Sequence, residues 1–166
     1  MSREPTKDAR YYLSLIVGIP LLIALIPIII PVIVVGLIYG YFRDLALAWR
    51  FRRRFLPEGK IGVFVYSDSP NWKEHVETHI LPRVTERFVI LNWSRRAEWV
   101  NRRPLEVRVF QRWAGSRSFN PIAIIVRRFG TVDTIRFFDA FRAHKHGKSD
   151  ELRRAEQRLF EIVEAA

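Results

Sequence analysis

Two histidines, His75 and His79, stand four residues apart, the spacing that puts two imidazoles on one helix face where they could hold a metal ion. Glu77 lies between them, whereas the zinc-protease pattern needs glutamate directly after the first histidine. Val76 and Ile80 form the apolar side of the same stretch, so both histidines are expected to look outward. His144 and His146 flank Lys145 and would add ligands only if the fold carried them to His75, for which the spacing gives no reason. No metal site is expected. The triplet Ser67-Asp68-Ser69 follows an apolar run that reads as a strand, and ligands of α/β sheets bind beyond the carboxyl ends of strands. That position makes Ser67, Asp68, Ser69, Asn71 and Trp72 candidates for ligand binding. Turn and capping chemistry accounts for the same residue types without a ligand. No serine has a neighbouring histidine as base, and no glycine-rich phosphate loop is present. The chain has no cysteine, which removes disulfides, thiolate nucleophiles and thiolate metal ligands together. No catalytic residue and no cofactor is assigned.

The net charge is +11. Arg95, Arg96, Arg102 and Arg103 surround Trp99, and Arg127-Arg128 precede Phe129, a mixture that can grip nucleic acid by phosphate pairing and stacking. No nucleic-acid motif accompanies it, and a basic surface facing a membrane explains the same charge, so nucleic acid is not an expected partner. Positive charge is densest in residues 43–60, where six bases meet two acids.

The elements that must position these residues begin with an apolar stretch. From Tyr11 to Phe42 there is no charged side chain, and a bilayer core needs only about 20 helical residues. Tyr11 and Tyr12 at one end and Tyr39, Tyr41 and Phe42 at the other suit the two interfaces. The segment is too long for a cleaved secretory signal and reads as a retained transmembrane helix. Pro20, Pro27 and Pro31 interrupt the helix ladder and should kink it. They also leave open a hairpin that turns near Pro27 to Pro31 and returns. Arg43, Arg50, Arg52, Arg53, Arg54 and Lys60 follow within about 20 residues, the window in which positive charge fixes the cytoplasmic side. The expected location is therefore the cell membrane, single-pass or hairpin, with the larger domain cytoplasmic. The expected organisation is a tail over 1–10, an anchor over 11–42, a basic amphipathic arm over 43–57 and a soluble α/β domain over 58–166. In the arm, Arg50, Arg52, Arg53 and Arg54 interleave with apolar residues and are expected to face anionic lipid headgroups; an extension of the anchor helix carrying a stop-transfer charge cluster, with no lipid specificity, accounts for the same residues equally well.

Within the domain, Ile61 to Tyr66 reads as a buried strand. Asn71 with Glu74 suggests a helix-start box, and Trp72, Val76, Ile80 and Val84 recur at helical spacing. Phe88 to Trp93 reads as a second strand, followed by a polar helical stretch over Ser94 to Asn101. Pro104 and Gly115 bracket a helix with Leu105, Val109 and Trp113 on one face, although Leu105, Val107 and Val109 also alternate as a strand would. Ile122 to Val126 is a central strand, Phe129-Gly130-Thr131 a turn, and Val132 to Phe138 a strand that pairs back. Gly147-Lys148-Ser149 leads into a last helix with Leu152, Leu159, Phe160 and Val163 inward.

This β-α-β-α-β-β-α order resembles the thioredoxin-like fold over roughly residues 61–164. Asn120-Pro121 stands directly before the third strand, where thioredoxins carry a cis-proline, and Ser69-Pro70-Asn71-Trp72-Lys73 looks like the active-site loop and first helical turn of that fold. The resemblance implies that Asn120 and Pro121 join the loop as ligand-binding candidates. Redox-active members carry two cysteines in that loop; serine and tryptophan stand here, so dithiol exchange does not carry over. The resulting expectation is a membrane-anchored, redox-inactive thioredoxin-like interaction module that binds a protein partner, anionic lipid headgroups or both, with self-association left open. The alternative is a small-molecule enzyme or binder, for a glutathione-like or anionic ligand, using the 67–72 loop.

Overall fold

The computed structural model describes residues 7–99, 101–115 and 119–166, with side chains from Leu25 onward. The first six residues of the expected tail, the side chains of Tyr11, Tyr12 and Pro20, and Val100 in the expected polar helix lie outside what is described. The chain divides into two compact units, residues 1–43 and 44–166. One helix, α1 (Lys7–Phe55), belongs to both.

In the first unit α1 is uninterrupted at Pro27 and Pro31. The return turn of the hairpin alternative is not formed. A proline deletes one ladder bond and leaves the flanking ones, and an apolar segment offers its backbone no other partners. The large apolar side chains from Leu25 to Phe42 are all between 40% and 69% exposed. Among the described residues this is the one helix long and apolar enough to cross a membrane, with a window of mean hydropathy 2.4 and none of that window buried.

The second unit is built on a four-strand mixed sheet, β1 (Gly62–Tyr66), β2 (Phe88–Asn92), β3 (Ile122–Val126) and β4 (Val132–Arg136). The strand order is β2-β1-β3-β4. β1 pairs parallel with β2 and antiparallel with β3, and β3 pairs antiparallel with β4. Apolar runs without alternation fit strands covered on both faces, and β1 and β3 are buried throughout. Gly62 lies so close to β3 that a Cβ there would collide with Ile124 O and sit 2.8 Å from Phe88 Cε1.

On one face Phe64, Ala123, Ile125 and Ile135 meet a helical run made of α2 (Lys73–His75), a π-helical turn (Val76–Ile80) and α3 (Leu81–Val84). The same face is closed by α6 (Phe138–Lys145) and α7 (Asp150–Glu164). On the other face Val63, Val65, Ile122, Ile124 and Val126 meet α5 (Leu105–Trp113) and the end of α1. A short α4 (Arg96–Trp99) follows a 3-10 turn over Trp93–Arg95.

Four expectations change. The arm does not present its apolar residues to headgroups alone: Ala48 and Phe51 are fully buried against β1 and β3, Leu47 and Phe55 pack beside them, and Arg52 Nη1 donates to Val126 O at 3.1 Å. Leu47, Ala48, Phe51 and Phe55 share one helix face, so the sheet gains a cover that a reading of arginine density overlooks. β4 ends at Arg136 rather than Phe138, because Phe137, Ala140 and Phe141 recur at helical spacing and bury as α6. In α5 the buried residues are Val107, Val109 and Phe110, with Leu105 and Trp113 only half-buried. In α7 Leu152 and Leu159 are buried, whereas Phe160 and Val163 are half-buried.

Candidate functional site

The 67–72 loop leaves β1 at Tyr66 and enters α2. Ser67 Oγ accepts from Trp72 Nε1 at 3.2 Å. The backbone N–H of Asp68 donates to Ser94 Oγ at 2.9 Å, and Asn92 Nδ2 donates to Asp68 Oδ1 at 3.0 Å. Lys73 Nζ lies 3.4 Å from the same carboxylate. The Asn92 hydrogen bond, and then Lys73, hold the Asp68 carboxyl below its ordinary range. Burial pushes the Tyr66 phenol up, and the Glu77 carboxylate beside it adds to that shift, with Tyr66 Oη donating to Glu77 Oε1 at 3.5 Å. Asp68 is thus a strand-to-strand tie between the ends of β1 and β2.

The expected Asn71–Glu74 helix-start box does not form. Trp72 caps α2 with no side-chain bond, and the N–H of Asn71 donates to Ser69 Oγ at 3.4 Å. Asn71 instead accepts from Lys145 Nζ at 3.5 Å, a contact that the unread helix α6 supplies.

Asn120 and Pro121 are both buried, and the peptide between them is cis. Asn120 is 7% exposed and its Oδ1 has no hydrogen-bond partner among the described residues. Pro121 O accepts from Phe137 N at 2.9 Å. The link from this segment to the loop is aromatic: Phe119 stacks on Phe138 at 4.6 Å, and Phe138 meets Trp72 edge-on at 5.9 Å. The Phe138 position on α6 carries that link, and the helical recurrence of Phe137, Ala140 and Phe141 was the signal for it.

The histidines do come together. His75 Nε2 lies 2.5 Å from Glu156 Oε1 on α7, its ring stacks on His79 at 4.6 Å, and His144 is 6.4 Å away. His79 faces solvent as expected, whereas His75 is half-buried against α7. The rings of His75 and His79 are 16° from parallel, which keeps their lone pairs from converging, and no metal-holding group occurs among the described residues. Trp99 is likewise no free stacking platform, because Trp93 and Phe110 pack against it at 5.9 and 6.5 Å.

The arm's arginines divide by role. Arg52 is tied to Val126 O, whereas Arg50, Arg53 and Arg54 line a shallow groove of 670 Å³ with Trp49, Leu105 and Glu106. Arg53 lies over the Trp49 ring at 5.3 Å, and Trp49 is 58% exposed. Arg54 pairs with Glu58. A second groove of 380 Å³ borders Trp49, Arg52, Arg53, Leu56 and Pro57. Three guanidinium groups beside an exposed indole make a surface suited to phosphate or carboxylate ligands.

Comparison of the chain with protein-family models, with curated proteins and with solved structures finds no match.

Proposed function

We propose that the protein is a membrane-anchored interaction module: α1 spans the bilayer, residues 44–166 face the cytoplasm, and the groove of Arg50, Arg53, Arg54 and Trp49 receives anionic lipid headgroups. The observation that carries this reading is the row of exposed large apolar side chains on α1 from Leu25 to Phe42, followed in the chain by the arginines of that basic groove. A protein partner on the remaining surface belongs to the same proposal. The β-α-β unit followed by a β-hairpin and a closing helix supports a thioredoxin-like reading of the domain, with α6 as an addition. The absence of cysteine makes such a domain redox-inactive at its loop.

The test uses the full chain in nanodiscs of neutral or anionic lipid. The thermal midpoint should rise with anionic lipid, and a triple Arg50→Ala, Arg53→Ala, Arg54→Ala variant should lose that rise. A midpoint indifferent to lipid charge in the parent chain contradicts headgroup binding.

The small-molecule alternative draws on one observation, the buried Asn120 Oδ1 without a partner among the described residues. A thermal shift with glutathione or anionic metabolites that disappears in Ser69→Ala would favour it. Against it stands the loop itself, where Ser67, Asp68 and Ser69 are engaged with one another's neighbours.

A further inference from the structure

Phe129 is 89% exposed, the most exposed large apolar side chain among the described residues. It sits at the tip of the β3–β4 hairpin with φ of 61°, a left-handed conformation that bulky residues rarely adopt. The tip is held in shape from both sides. The N–H of Arg127 donates to Thr131 O at 2.8 Å, Thr131 Oγ1 donates to Arg128 O at 3.3 Å, and Arg127 pairs with Asp133 at 2.6 Å. The hydrogen-bonded turn thus presents the phenyl ring to solvent.

The tip also has a fixed neighbour. Gly130, with φ of 78°, lies against Leu45: a Cβ there would be 3.6 Å from Leu45 Cα and would collide with Cδ1. Leu45 is three residues after Phe42, the last residue of the uncharged stretch. Three residues of chain reach at most about 10 Å in any conformation, so the hairpin tip stays close to the end of the apolar segment. An exposed aromatic beside an exposed arginine, Arg128, matches the pairing of ring and cation found at bilayer interfaces.

We infer that the β3–β4 tip is a second membrane contact, in which Phe129 enters the lipid interface beside α1 and the Arg128 guanidinium meets headgroup phosphates. The inference rests on the reading of α1 as a span. The occupant is the bilayer surface: the tip's ring is apolar, the exposed Arg128 cation suits anionic lipid, and Leu45 tethers the tip near the membrane boundary by chain length alone.

The cysteine-free chain allows single reporters. Phe129→Cys, Thr131→Cys, Gln157→Cys and Leu37→Cys variants of the full chain, each labelled with an environment-sensitive fluorophore, are reconstituted into phosphatidylcholine vesicles containing phosphatidylglycerol. The probe at 129 should shift to the blue, lose emission to shallow nitroxide-labelled lipid and resist aqueous iodide; Thr131 on the same tip serves as a second reporter of these changes. The probe at Gln157, on the outer side of α7, should respond to iodide alone. Lipid quenching at Leu37 with none at 129 and 131 overturns the inference and leaves the span standing. No lipid quenching at Leu37 removes the span and the inference with it. Equal quenching at 129 and 157 means unspecific adsorption, which also overturns the inference.

Discussion

Arg112 of α5 grips Asp44 of α1 with two parallel hydrogen bonds, Nε to Oδ1 and Nη2 to Oδ2, both 2.5 Å long. The hydrogen bond to Asp44 raises the Arg112 pKa above its already high ordinary value. The pair ties the first turn of α1's domain portion to the helix that covers the same sheet face. Both side chains retain solvent contact, so its strength is modest. Arg112→Ala should cost about 1 kcal/mol in denaturant unfolding. Arg112→Lys should restore little of it, because an ammonium cannot make both bonds in the plane of the carboxylate. Full restoration by lysine would mean that charge alone matters there.

Phe51 is the stronger test of the arm's place in the core. It is fully buried between α1 and the sheet, with Ala48 beside it. Phe51→Ala should destabilise the domain by about 3–5 kcal/mol. A fragment beginning at residue 58 should expose Val63, Val65 and Ile124 and bind a hydrophobic dye, whereas one beginning at residue 44 should unfold cooperatively. Equal stability of the two fragments would contradict the packing of α1 on the sheet.

Gly62 opens β1, an inner strand of the sheet, where β1 and β3 run against each other. Gly62→Ala would drive a methyl group into Ile124 O and the Phe88 ring. The expected cost is about 1–3 kcal/mol, with more if β3 cannot shift. A thermal midpoint equal to the parent's would show that the strands have room that the geometry denies.

Asp68 gives a pH dependence with a definite sign. Its carboxyl titrates lower in the folded chain than in the unfolded chain, chiefly through Asn92. Its contribution to stability is therefore complete above the unfolded value of about 4 and is lost as pH falls through the folded value. Asn92→Ala should flatten the acid limb of the stability curve in that window. An unchanged acid limb would mean that Asp68 makes no net contribution through this bond.

Much of the fold was legible in residue patterns. The apolar runs at 61–66, 88–93 and 122–126 hold β1, β2 and β3, with Trp93 passing instead to the 3-10 turn after β2, and the Pro104 to Gly115 bracket holds α5, with Gly115 in the left-handed conformation just past its end. What stayed hidden depended on long-range packing. Phe51 stands among Arg50, Arg52, Arg53 and Arg54, which gives it the look of a lipid-facing arm, and only the sheet decides which side of that helix is covered. Phe137 and Phe138, two aromatic residues directly after Arg136, read as the end of the fourth strand, which hides the start of α6. With α6 unread, neither the approach of His144 to His75 nor the Phe138 bridge between Trp72 and Phe119 was visible. Asn71 had the right type and spacing for a cap, yet Ser69 and Lys145 took its bonds.

The proposed function requires a topology in which α1 crosses a membrane with the domain on the cytoplasmic side. Its most direct measurement is labelling of Ser2→Cys and Gln157→Cys full-length chains in intact cells with a membrane-impermeant maleimide. Position 2 should react in intact cells and position 157 only after permeabilisation. Labelling of position 157 in intact cells, or recovery of the parent chain outside the membrane fraction, would contradict that topology.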